Sequence, residues 1–260
     1  MEMELRNDDV AIALLEDFIS RYKGDLGDVE KARIATNLGF CLEYDEKGLE
    51  YLLEAEKLGS PYVETYKGLA LQYFSNFQSD KLLEDLQKSL EAFQKGLKLG
   101  DNYEMELGYG ICLFAAEKYG KAKEVFESLL SACPNRMRLL LGIAYCEVYL
   151  GNKEKVLFFF KQVSVGQDCN YSLNTDEIDE LEKIDANYML EEYDLFLSEA
   201  NKVISAYYFA DWDYYFYTLW IKNQQEKFDL YIEKYKKELL DWIEETKLDE
   251  DFSNEAERED

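Results

Sequence analysis

The chain contains no histidine. That absence removes imidazole general acid–base catalysis, the Cys-His and Ser-His-Asp nucleophilic systems and nearly every common catalytic zinc arrangement. Glycine-rich phosphate loops, the H-E-x-x-H helix and calcium-loop spacings are missing as well. Carboxylates are plentiful, for example Asp176, Glu177, Asp179, Glu180 and Glu182. A charge run of this kind is what a solvated helix face carries, and no two members stand out as an acid and base pair. The expectation is a protein that is not an enzyme and holds no cofactor and no metal.

Cysteine is scarce and unpatterned: five residues, at 41, 112, 133, 146 and 169, without a C-x-x-C pair. An odd count without spacing logic points to reduced thiols in a cytoplasm, and Cys41 and Cys112 sit where small core residues belong. Long apolar runs are also missing, and the first residues, Met1 to Asp9, are acidic where a secretory signal is basic and then apolar. A cytoplasmic protein with no membrane contact is expected.

Positive charge is in short supply. Lys and Arg number 29 against 55 Asp and Glu, a formal net charge of -26. With 47% hydrophobic and 15% aromatic residues the chain has the composition of a packed protein, so the excess charge belongs to its surface. Such a field repels nucleic acid and anionic membranes and accelerates encounter with basic partners. Acidity also serves solubility alone, and composition does not separate the two roles.

Only two prolines occur, Pro61 and Pro134, and each follows an apolar helical pattern and opens a new one. They punctuate a repeat. Gly110, Ala122 and Pro134 are spaced at twelve-residue intervals, and Ala122 and Phe126 make an A-x3-F element. Leu141-Gly142-Ile143-Ala144-Tyr145 reproduces the L-G-x2-Y element that opens the next unit, and Leu38-Gly39 begins a weaker copy. Leu58-Gly59-Ser60-Pro61-Tyr62 recurs forty-one residues later as Leu99-Gly100-Asp101-Asn102-Tyr103, with glycine where a helix end takes a left-handed residue. On these elements the chain resembles the tetratricopeptide and Sel1-like repeat superfamily over roughly residues 30–166. The resemblance implies an all-α array of antiparallel helix pairs, with Gly39, Gly68, Gly110 and Gly142 lying against Ala55, Ser89 or Ala122. Helices are expected near 28–44, 46–58, 61–78, 80–99, 103–117, 119–132, 135–150 and 152–164, after an amphipathic opening helix through Val10, Leu14, Leu15, Phe18, Ile19 and Tyr22.

Beyond Asp176 the repeat signature fades while helical periodicity persists, and Gly166 to Asn174 is the longest polar interruption. The expected organisation is a repeat array over 1–166, a C-terminal helical cap over 167–248 and a frayed acidic tail over 249–260. Between Tyr207 and Trp220, nine of fourteen residues are aromatic. A helix buries one stripe, so some rings fall on a second face, where they serve either an interface or the sealing of the array's end.

The resemblance also implies a concave surface lined by the first helix of each pair. Its expected residues are Arg33, Thr36, Phe40 and Glu43; Tyr62, Thr65, Leu69 and Gln72; Glu104, Leu107, Ile111 and Phe114; and Arg136, Leu139, Ile143 and Cys146. The lysine, asparagine and arginine clamp with which the family holds a chaperone's C-terminal carboxylate is not supplied by these positions. The partner-binding residues expected are Tyr62, Gln72, Glu104, Phe114 and Arg136 in the groove, and Tyr208, Trp212 and Tyr215 in the aromatic segment. The function expected is that of a monomeric binder covering a basic protein, such as an immunity protein neutralising a cytotoxic effector or an effector chaperone. A regulatory or assembly scaffold holding a peptide in the repeat groove is the alternative.

Overall fold

The computed structural model describes residues 8–22, 24–42, 45–100, 102–134, 136–163, 180–206 and 213–256. Among them are thirteen α-helices. Helix α1 (Asp8–Tyr22) precedes six pairs: α2 (Asp28–Cys41) with α3 (Glu46–Lys57), α4 (Val63–Asp80) with α5 (Leu83–Leu97), α6 (Tyr103–Ala115) with α7 (Tyr119–Ala132), α8 (Met137–Tyr149) with α9 (Lys153–Phe160), α10 (Glu180–Met189) with α11 (Tyr193–Val203), and α12 (Asp213–Ile221) with α13 (Gln225–Ala256). The chain forms two compact units, residues 1–135 with α1 to α7 and residues 136–260 with α8 to α13. The junction expected over Gly166 to Asn174 lies outside the described residues, and the two compact units meet in sequence between residues 135 and 136. Helix α13 runs through Ala256 and so takes in most of the tail expected to fray.

One turn joins most pairs. After α6 the amide of Glu117 donates to Phe114 and that of Lys118 to Leu113, both at 2.9 Å, with Glu117 at φ 58°. The same two bonds close α8 at Gly151 and Asn152, α10 at Glu191 and Glu192, and α12 at Asn223 and Gln224. This is the Schellman motif, which satisfies the last carbonyls of one helix and aims the chain back along it. Glu117 and Gly151 lie 34 residues apart, one tetratricopeptide period. The repeat therefore continues past Asp176, where its sequence signature fades. Only Gly151 among these four turns has the glycine that a left-handed residue favours; Glu117, Glu191 and Asn223 adopt it at a steric cost. Helix starts are marked too: the Asp45 side chain accepts from the Lys47 amide at 2.7 Å, and Asn102 from Met105 at 3.1 Å.

At Gly39, Gly68 and Gly110 the nearest side chain is a large one. A Cβ on Gly39 would stand 2.5 Å from Leu52 Cγ, and one on Gly68 would stand 2.9 Å from Leu52 Cδ2. Leu52 on α3 thus fills a hollow on its own partner α2 and another on α4 of the next pair. Phe126 on α7 fills the hollow at Gly110 of α6, and Phe93 on α5 fills the one at Gly108, with 2.5 Å to a Cβ in each case. Ala55, Ser89 and Ala122 are buried as well. At Gly48 the constraint is harder, since a Cβ would collide with the Leu42 backbone carbonyl, which no rotamer change moves aside.

The buried hydroxyls of Thr36, Ser60, Thr65 and Ser89 inside the N-terminal unit are paired. The Thr36 hydroxyl donates to the Ala32 carbonyl at 2.8 Å and meets Thr65 Oγ1 at 2.6 Å, which in turn meets Ser60 Oγ at 2.6 Å. Ser89 Oγ donates to the Ala70 carbonyl at 2.8 Å and contacts Cys112 Sγ at 3.3 Å. Bonding of this kind is what allows hydroxyls into an interior at little net cost. The break expected at Ser79, between helices over 61–78 and 80–99, falls at Lys81 and Leu82, because α4 runs from Val63 on to Asp80. Helix α1 buries Ala11 but leaves Val10, Leu14, Phe18 and Tyr22 exposed, so its apolar stripe is only partly used.

Burial pushes the Cys112 thiol from 9.0 up to about 12, with its contact to Ser89 acting the other way. An unfolded thiol ionises first as pH rises past 9.0, so between 9.0 and about 12 the folded state holds the extra proton and stability falls. One such group contributes a slope of about 1.4 kcal/mol per pH unit. Urea midpoints of the wild type and Cys112→Ala, followed across this alkaline range, are expected to converge with rising pH. Parallel curves would contradict it.

Candidate interaction surfaces

In the N-terminal unit a row of polar contacts crosses the first helices. The Arg33 guanidinium on α2 lies 4.0 Å from the centre of the Tyr62 ring and 3.8 Å from Glu64 Oε2. One turn further along α4, Lys67 donates to Glu104 on α6. Tyr62 and Glu104, both expected to line the groove, are thereby brought onto one face. These are half-exposed ion pairs worth about 0–1 kcal/mol each, so they organise the face more than they stabilise it. Phe114 is half-buried, its ring edge-on to Tyr119 at 5.3 Å.

Other expected groove positions point inward. Gln72 is 7% exposed and Arg136 4%, so neither lies on a contact surface. Thr36, Thr65, Leu69, Leu107, Leu139, Ile143 and Cys146 are buried too. Of these, the Thr36 and Thr65 hydroxyls meet each other between α2 and α4. Glu43 lies outside the described residues. An additional cleft of about 510 Å³ opens beside α1, between Ile19, Leu26 and Ala35, with Glu16, Tyr51 and Glu54 at its rim. The Glu16 carboxyl there accepts from Lys47 Nζ at 2.8 Å and from the Tyr51 hydroxyl at 3.1 Å, and these bonds hold it below the usual carboxylate range.

In the C-terminal unit the aromatic segment divides. Tyr208 and Trp212 lie outside the described residues. Tyr215 is 1% exposed and packs with Phe196, Leu197, Ile204 and Leu219, so it is a core residue and not the exposed contact expected. Its hydroxyl donates to Asn201 Oδ1 at 2.6 Å and its ring meets Tyr231 edge-on at 5.2 Å, which explains why a phenol is tolerated there. Two other rings of α12 face outward, Tyr217 at 47% and Trp220 at 61% exposure, with centroids 5.9 Å apart. Tyr217 lies 6.2 Å from Tyr188 of α10, which stacks on Tyr214 at 4.2 Å and meets Tyr193 at 6.0 Å. Desolvation pushes the phenols of Tyr188, Tyr193 and Tyr214 up, followed by Tyr217 and Tyr193 at Tyr188, by Glu191 at Tyr193 and by Asp185 at Tyr214. The segment's density of rings marked the region, but with apolar residues almost all round α12 no periodicity told the inner face from the outer.

Sequential antiparallel helix pairs, one recurring turn and a period near 34 residues make this a tetratricopeptide-like helical repeat fold. Solved structures agree. A tetratricopeptide repeat protein from Parabacteroides merdae is similar with a TM-score of 0.65 and 15% identity, over 88% of this chain and 92% of that one. YrrB, described as a tetratricopeptide repeat protein with an unusual peptide-binding site, gives a TM-score of 0.50 and 19% identity over 74% and 91% of the two chains. PilW, a type IV pilus biogenesis factor, gives 0.52 and 18% over 78% and 88%. At these identities the likeness is one of fold. No protein-family profile and no curated protein matches the chain. No helix among the described residues is long and apolar enough to cross a membrane.

Alanine at the two α12 aromatics should separate core from surface. Tyr215→Ala is expected to cost about 3–5 kcal/mol of unfolding free energy, and Trp220→Ala less than about 1 kcal/mol. Equal losses in urea denaturation would overturn the assignment of faces.

Proposed function

We propose that this chain is a protein-interaction protein that binds and covers a basic protein, acting in the cytoplasm as an immunity protein against a cytotoxic effector or as an effector chaperone. The observation that carries the reading is the net charge of -26 on a helical-repeat fold. A field of that strength draws in a positively charged protein before contact and holds off nucleic acid. Tyr62, Glu104 and Phe114 on the first helices, together with the exposed aromatics of the C-terminal unit, supply the contact chemistry. Tyr208 and Trp212 are contact residues in this proposal as well. No catalytic step and no cofactor enter this function, and the free chain is a monomer.

A second reading, a scaffold that holds a peptide against the first helices, is favoured by the Arg33, Tyr62 and Glu64 cluster, which presents an aromatic face beside a cation and a carboxylate. YrrB, with its peptide-binding site, and PilW, a pilus biogenesis factor, are precedents for the fold in such work. Charge separates the two readings. Affinity capture from the native cell, followed by identification and stopped-flow association, is expected to give a partner of net positive charge. Its association rate should fall by about tenfold or more as salt rises to physiological strength, where the Debye length is about 8 Å. A rate indifferent to salt would contradict the basic-partner reading and favour the scaffold.

A further inference from the structure

At α10, α11 and α12 the chain gathers five aromatic rings into one cluster, of which Tyr188 and Tyr214 pack on the core while Tyr217 and Trp220 remain exposed. Tyr188 and Tyr214 form the stacked floor, Tyr193 borders it, and Tyr217 and Trp220 stand exposed at its edge. Asp185, Glu191 and Asp213 lie close enough for their charge to act on these phenols. We propose that this cluster is a binding site for arginine side chains of the basic protein partner, with the guanidinium lying on the faces of Tyr217 and Trp220 and the nearby carboxylates balancing its charge. The proposal rests on the basic-partner reading and assigns it a place in the structure.

The chemistry follows from the rings. An aromatic face carries negative charge density and attracts a cation, Trp most strongly, and a planar guanidinium also stacks on it where an ammonium cannot. Elsewhere the chain covers its rings with its own cations: Arg33 lies 4.0 Å from Tyr62, Lys88 5.6 Å from Tyr73 and Lys47 5.7 Å from Tyr51. Among the described residues no lysine or arginine lies over Tyr217 or Trp220, while Lys222 nearby is held 2.7 Å from Asp194. Asp185, Glu191 and Asp213, which act on the neighbouring phenols after desolvation, are carboxylates that favour an incoming cation. Glu191 adds a conformational observation. It occupies the left-handed turn position, at φ 60°, where glycine fits without strain, and so places a carboxylate beside Tyr193 at a cost to folding.

The test is titration of the full chain with a short oligoarginine peptide, read by tryptophan fluorescence and calorimetry. The combined substitution Tyr217→Ala with Trp220→Ala leaves the net charge unchanged, so the general electrostatic attraction persists in it. It is expected to weaken oligoarginine binding about tenfold, the loss of two cation–π contacts. Oligolysine, which lacks the guanidinium plane, is expected to bind the wild type less tightly and to be little affected by the same substitutions. Glu191→Gly should weaken oligoarginine binding a few-fold while raising the thermal midpoint. Wild-type affinity for oligoarginine in the doubly substituted chain would overturn the site and leave the basic-partner reading intact. Failure of the wild type to bind oligoarginine at all would overturn both.

Discussion

Leu52 stands on two glycines at once, and that contact shows how the N-terminal unit is assembled. One large side chain from the second helix of a pair enters a hollow on its own partner, at Gly39, and another on the first helix of the next pair, at Gly68. A knob that bridges two hollows fixes both the packing within a pair and the step to its neighbour. Phe93 and Phe126 each fill one hollow, Phe93 at Gly108 of the next pair and Phe126 at Gly110 of its own partner helix. Because interiors are packed at crystal-like density, neither a methyl added in a hollow nor a knob cut short is absorbed by its surroundings. The hydroxyl contacts of Thr36, Thr65, Ser60 and Ser89 follow from this closeness, since helices held that near must pair their polar side chains with each other.

Much of this was legible in the sequence. Gly39, Gly110, Ala122 and Pro134 located the pairs and set their length, because backbone approach and helix termination have residue requirements that few side chains meet. What faces each glycine was not legible. Spacing shows that room is needed without showing whether a small residue or a large one takes it, and the answer was the large one. The turns hid in the same way. Glycine at 59 and 151 announces a left-handed residue, but Glu117, Glu191 and Asn223 reach the same conformation without that signal, so the repeat continues unseen through the C-terminal half.

The residues expected on the surface divide for a related reason. Tyr62 and Glu104 stand on one face through Arg33 and Lys67, whereas Gln72, Arg136 and Tyr215 turn inward. In α12 aromatic residues occupy every side, so composition fixed the region and tertiary packing chose the face: Tyr215 and Leu219 in, Tyr217 and Trp220 out. Charge and aromaticity then act at different ranges. The field of the whole chain governs approach, over distances that salt sets, and exposed rings govern what is held after contact.

The claim that knobs in glycine hollows hold the repeat together is tested most directly by a double-mutant cycle at Gly110 and Phe126. Gly110→Ala alone should destabilise by about 1–3 kcal/mol despite alanine's better helix propensity, because its methyl would lie 2.5 Å from the Phe126 ring. Phe126→Leu alone should also cost stability, by leaving the hollow underfilled. With both present the smaller knob makes room for the methyl, and the double substitution should cost less than the sum of the two by about 1 kcal/mol or more. Additive losses in urea denaturation would show that the glycine and the phenylalanine do not act as one contact, and would contradict the account.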